Sequence, residues 1–204
     1  MEIILRNIEN IGMTGIIISF SAFLIGIKFP DWDFKLKLRH RNILTHSPII
    51  IFFFLSLYKN EGSYLFRMFI IGFSCAVGVH LIFDFFPRGW ARGALLHVPI
   101  IDKELRKNTS KTLMFISIMI CIYIVIKLSS SIEEYVYLLI LSLIYILKST
   151  KKEAKLFRPL ILFLVIFLFF GNLKYEKFNK KIYRNINSKL KDSNFINRLS
   201  YKIK

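Results

Sequence analysis

Apolar residues along this chain come in long uninterrupted blocks separated by short charged connections, not at the three- or four-residue period of a soluble amphipathic bundle. Six blocks stand out: Ile11 to Ile27, Pro48 to Tyr58, Leu65 to Phe86, Leu113 to Ile126, Tyr135 to Leu147 and Leu156 to Phe170. Crossing a hydrocarbon layer of roughly 30 Å takes about 20 helical residues at about 1.5 Å each. The second and fifth blocks are short for that. They are expected to rely on flanking Tyr, Lys or Arg side chains that snorkel to the headgroups, or to cross only in part. The pattern predicts an all-α, polytopic helical membrane protein of about five to six short transmembrane helices. The first block runs into Lys28-Phe29-Pro30-Asp31 without a small-residue cleavage site, so it is expected to be retained. With no internal repeat and no low-complexity linker, residues 1–173 read as one membrane domain and residues 174–204 as a basic tail.

Composition strengthens this reading. Of 204 residues, 54% are hydrophobic and 21 are Phe, more than one soluble core of this size could bury. The mean hydropathy is +0.50. The excess of 30 Lys and Arg over 13 Asp and Glu would raise nucleic-acid binding in a soluble protein. Here the basic residues lie between apolar blocks and in the tail, so the bilayer and its anionic headgroups are the expected partner and no nucleic acid is expected. Lys28 to Arg41, Arg88 to Lys111 and Lys148 to Arg158 are basic, whereas the connections near Glu61 and Ser129 to Glu134 are not; the positive-inside rule then assigns the basic loops to the cytoplasm. Lys174 to Lys204 holds ten basic residues against two acids, with Phe178, Ile182, Ile186 and Leu190 four apart. That spacing predicts a basic amphipathic helix on the membrane surface, on the side of the candidate site, although six full crossings would put it on the other side. Cys75 and Cys121 fall within apolar blocks and read as packed thiols.

Candidate chemistry is confined to residues 30–99. Ionisable groups that border or interrupt apolar spans are expensive, and so suspect as functional. Three motifs do so: Pro30-Asp31-Trp32-Asp33, the run from Arg39 to Pro48 containing His40-Arg41-Asn42 and Thr45-His46-Ser47, and His80-Leu81-Ile82-Phe83-Asp84. On a helix, His80 and Asp84 share one face with Cβ atoms about 5 to 6 Å apart, a gap that a metal or a simple hydrogen bond can bridge. If the first and third spans run in the same direction, Asp31, Asp33, His40 and His46 emerge beside that pair. Imidazole with carboxylate suits Zn first, and also Mn, Fe or Ni. Smaller roles fit the neighbours: Ser47 before Pro48 as a helix N-cap, Thr45 as a partner orienting His46, and Arg41 as a fork for an anion. His97 reads as a satisfied interfacial histidine.

The order PDxD, then HR with THS a few residues on, then HxxxD before a Pro, resembles the YdjM-like family of LexA-regulated, membrane-bound predicted metal-dependent hydrolases of bacteria. The likeness spans Ile16 to about Pro99, with one residue more between the two histidines than the family's HRGxTHS and Asn42 in place of its Gly. It implies Asp31, Asp33, His46, His80 and Asp84 as metal ligands, His40 and Arg41 as catalytic groups beside them, and a multi-pass place in the bacterial inner membrane. The function it implies is hydrolysis of an ester, phosphoester or amide, which could be lipid-linked, by metal-activated water at the cytoplasmic face. A divalent-metal transporter and a non-catalytic membrane protein with a structural metal are the alternatives.

Overall fold

The structure, a computed structural model, describes residues 12–87, 90, 94–99, 103–150 and 157–176. Each apolar block coincides with a helix: α1 (Met13–Lys28), α2 (Ile49–Glu61), α3 (Tyr64–Asp84), α4 (Lys107–Leu128), α5 (Ile132–Thr150) and α6 (Phe157–Glu176). A 3₁₀ turn over Pro30–Asp33 follows α1. A two-residue ribbon, β1 (His97–Val98) with β2 (Lys103–Glu104), precedes α4. It is antiparallel and pairs His97 with Glu104.

Among the described residues, three helices are long and apolar enough to cross a membrane: α3 with 21 residues, α4 with 22 and α6 with 20. At 16 and 13 residues, α1 and α2 reach only about 24 and 20 Å, because the polar segment between Phe29 and Pro48 takes up the chain on either side. The first turn of α5 holds Glu133 and Glu134, which shortens its apolar part. Large apolar side chains are exposed around the bundle, among them Ile17 and Phe20 on α1, Ile140 and Ile144 on α5, and Ile161 and Val165 on α6. A surface of that composition is stable against hydrocarbon and a liability in water.

Helix α3 forms the axis, with Met68, Ile70, Ile71, Val77 and Val79 fully buried. Its most extensive contact is with α1, followed by α4. The α1–α3 contact is made by small residues. A Cβ on Gly72 would fall on the carbonyl oxygen of Ser19, and one on Gly26 would lie 2.7 Å from the Phe73 carbonyl oxygen and 3.0 Å from the Ala76 Cβ. Small side chains at such spacing let two backbones approach closely, the usual device where apolar burial cannot drive helices together. Because Gly15 meets Tyr64 at one end and Ile27 meets His80 at the other, α1 and α3 run in the same direction.

The far end of the bundle is locked by an ion pair between Arg67 and Glu134, which the sequence reading missed although Arg67 sits inside an apolar block. The Arg67 guanidinium grips both Glu134 oxygens at 2.7 and 2.6 Å and also donates to the Leu128 carbonyl at 2.8 Å. Glu134 accepts the Ser130 N–H at 2.7 Å. The Lys174 ammonium donates to the carbonyls of Ile126 and Ser129, so the C-terminal ends of α4 and α6 meet here. Lys174, assigned above to the tail, is thus the tether of a bundle helix, and the segment starts at the end away from His80 and Asp84, whereas the sequence pattern put it on their side. The rest of the expected surface helix falls on residues 177–204, outside the described residues.

Removing one partner of a buried pair leaves the other charge uncompensated, at a cost of about 3 to 5 kcal/mol. Glu134→Ala should therefore unfold at a clearly lower temperature than the parent protein in detergent. Pairing Arg67→Met with Glu134→Leu should restore most of that loss.

Candidate metal centre

The segment between α1 and α2 is organised around Asp33, which is wholly buried. Pro30 fixes the backbone for the 3₁₀ turn, which delivers Asp33 inward while Asp31 stays exposed. One Asp33 carboxylate oxygen accepts the Arg41 N–H at 2.6 Å, and the other accepts the Thr45 hydroxyl at 3.2 Å. Arg41 takes a left-handed φ of 58°, and the strain is offset by what its peptide groups bond. The Asn42 side chain accepts the Leu44 N–H at 3.0 Å while its carbonyl accepts the His46 N–H at 2.8 Å, an Asx-type turn that points His46 into the bundle. The connection after α3 clamps this loop from outside: the His97 N–H donates to the Arg41 carbonyl and the Ile43 N–H to the His97 carbonyl, both at 2.9 Å.

Three of the five expected ligands converge. One donor atom from each of His46, His80 and Asp84 lies within 4.8 Å of the other two. Each imidazole has its Nδ1 engaged on the protein side. His46 Nδ1 is 3.0 Å from the Thr45 hydroxyl and 3.6 Å from Asp33, while His80 Nδ1 donates to the Ile27 carbonyl at 2.8 Å. Both Nε2 atoms are left facing Asp84 Oδ2, at 3.1 Å for His46 and 3.5 Å for His80. Neither His46 Nε2 nor Asp84 Oδ2 makes an aligned hydrogen bond among the described residues, although both are buried. Orphaned polar atoms of that kind are rare. Donors bound to one tetrahedral ion at about 2.0 to 2.1 Å stand about 3.3 Å apart, close to the two imidazole-to-carboxylate separations here. The donor set therefore fits a divalent metal, and the backing of each ring matches the way metal-bound histidines are held.

The other expected residues take different positions. Asp31 stands at the rim, 59% exposed, with an oxygen 3.7 Å from His80 Nε2. Asp33 is behind His46, not among the three converging donors. His40 stacks on Phe34 and lies 3.6 Å from Asp33 through Nδ1. The Arg41 guanidinium is held through its two terminal nitrogens: it donates to the Ala94 carbonyl at 2.7 Å, reaches Asp84 Oδ1 at 3.2 Å and lies over the Trp90 ring. Arg41 thus holds the second oxygen of Asp84 and positions that carboxylate. The Ser47 hydroxyl accepts the Ile49 N–H at 3.4 Å, so the helix start falls one residue later than predicted, with Pro48 as the cap residue. His97 acts through its backbone, with a buried ring. The carbonyls of Ile27 and Ala94 complete the site; backbone groups leave no residue-type signal, so no motif could have named them.

No protein-family model, curated protein or solved structure matches this chain.

Hydrogen bonds to a charged group contribute about 1.5 to 3 kcal/mol. Arg41→Met should lower stability by about that amount and should speed trypsin cleavage between residues 88 and 106, read by mass spectrometry, because Ala94 loses its tie to Arg41.

Proposed function

We propose that this protein is a multi-pass, metal-dependent hydrolase of the bacterial inner membrane, of the YdjM-like kind, with its site at the cytoplasmic face. The observation that supports the reading best is the pair of backed imidazoles whose Nε2 atoms face an unpartnered Asp84 oxygen. In this proposal His46, His80 and Asp84 hold a divalent ion, Zn first and otherwise Mn, Fe or Ni, and Asp31 reaches in as a further donor or as the acceptor of a proton. Such an ion supplies Lewis acidity toward an ester, phosphoester or amide oxygen and acidifies a water. Asp33 and Thr45 keep His46 in one ring orientation, the Ile27 carbonyl does the same for His80, and Arg41 keeps Asp84 from rotating away. His40, at the half-exposed edge beside Asp33, is the group available to move a proton or to meet a negatively charged substrate.

The helices that flank the three basic connections all open at the His80–Asp84 end, which is the basis for assigning that end to the cytoplasm. A transport site would be expected near the middle of the spans with access from both sides. His80 and Asp84 close the C-terminal turn of α3 instead, and Asp31 and His46 stand on connections, which favours hydrolysis over transport.

Elemental analysis of the purified protein should find about one divalent ion per chain, and the double variant His80→Ala/Asp84→Ala should lose it. Asp33→Asn should keep the fold and weaken metal affinity by about 10- to 100-fold, as losses behind a ligand do. Parent protein that holds no divalent ion after metal loading would sink the proposal.

A further inference from the structure

The turn after Asp33 is built to face outward. The Leu36 N–H donates to the Trp32 carbonyl at 2.9 Å and the Leu38 N–H to the Asp33 carbonyl at 2.8 Å, with Lys37 at a left-handed φ of 56°. The backbone is closed on itself, so its side chains stand outside. Along it apolar and basic residues alternate: Phe34, Lys35, Leu36, Lys37. Phe34 is 67% exposed and Leu36 56%, and Leu44, on the same connection, is 43% exposed. The Lys35 ammonium lies 5.7 Å above the Trp32 ring. In water, two large apolar side chains presented on a tight turn are a liability. Between acyl chains and phosphates the same turn is stable, because the apolar groups sink and the ammonium groups reach anionic oxygens.

Its position matters as much as its composition. The turn begins at the C-terminal end of α1 and leaves from Asp31 and Asp33, which flank the cluster. Phe34 stacks on His40 with ring centroids 5.2 Å apart, and His40 lies 3.6 Å from the same Asp33 oxygen that faces His46 Nδ1 at 3.6 Å. A group seated on the turn is therefore one short chain of contacts away from the converging donors.

We propose that residues 34–37 dock into the anionic headgroup layer of the bilayer, and that the cluster acts on an anionic membrane lipid presented by that layer. The docking half stands on the turn alone. The substrate half rests on the hydrolase reading above. Lys35 and Lys37 meet headgroup phosphate, and Phe34 and Leu36 enter the acyl boundary. The scissile bond is then held at headgroup depth beside Asp31.

The test uses the full chain in nanodiscs of phosphatidylcholine with or without phosphatidylglycerol. A spin label on Leu36→Cys, in a Cys75→Ser/Cys121→Ser background, should be shielded from a water-soluble nickel relaxant and open to oxygen, more so with phosphatidylglycerol. A label equally open to nickel in both lipids overturns docking, as does shielding that appears only when cytosolic protein is added. For the substrate half, turnover of phosphatidylglycerol is compared with that of a soluble chromogenic phosphodiester. Lys35→Ser/Leu36→Ser should lower the ratio of lipid to soluble turnover about tenfold. An equal fall in both, or parent protein that turns over only the soluble ester, overturns the lipid substrate. A shielded label in a metal-loaded protein that hydrolyses neither compound supports docking and overturns the hydrolase reading together with the substrate half.

Discussion

Everything at the candidate site depends on how closely α1 and α3 approach. Gly72 lets the Ser19 carbonyl lie against α3, and Gly26 leaves room for the Phe73 carbonyl and Ala76. A side chain at either position would push the helices apart, because the obstacle is backbone and cannot rotate away. The close approach brings the Ile27 carbonyl to His80, so a packing feature in the apolar middle sets the ring orientation of a polar residue at the end. It also aligns the two helices in parallel, which places the turn carrying Asp31 and Asp33 beside the last turn of α3.

From there the geometry is a matter of satisfying buried polar groups. Asp33 is enclosed and therefore needs partners, and it takes them from Arg41, Thr45 and the histidine side of the loop. The loop in turn needs a roof, which the connection before α4 provides through His97 and Ala94. The outcome is that His46 Nδ1, His80 Nδ1 and Asp84 Oδ1 each meet a protein group, while His46 Nε2 and Asp84 Oδ2, facing one another, make no aligned hydrogen bond among the described residues. The other ring nitrogen of His46 and the other oxygen of Asp84 are both engaged, which makes these two atoms informative.

The two ends of the bundle are built on different principles. At the far end, Arg67 and Glu134 pair with one another, and Arg67 and Lys174 bond the last carbonyls of α4. At the near end, carboxylates and imidazoles converge with Arg41 spent on one oxygen of Asp84. A charged group within apolar surroundings is costly in either case, but only a complete set of partners makes it purely structural.

The apolar blocks by themselves determined the helices, the mostly helical class and the apolar exterior, though not the short ribbon before α4, because uninterrupted hydrophobicity over a dozen or more residues has few other physical solutions. The motifs also named the three residues that converge, His46, His80 and Asp84, together with two aspartates that do not join them. Tertiary structure alone decided what each residue does there. Asp33 was read as a ligand and lies behind His46, Arg41 was read as an anion clamp and braces Asp84, and Lys174 was read as tail and caps α4. Those roles turn on which oxygen or nitrogen of a side chain is already bonded, often to a backbone carbonyl such as that of Ile27 or Ala94. Such bonds arise from the approach of segments distant in the chain, and residue types in sequence order hold no record of them.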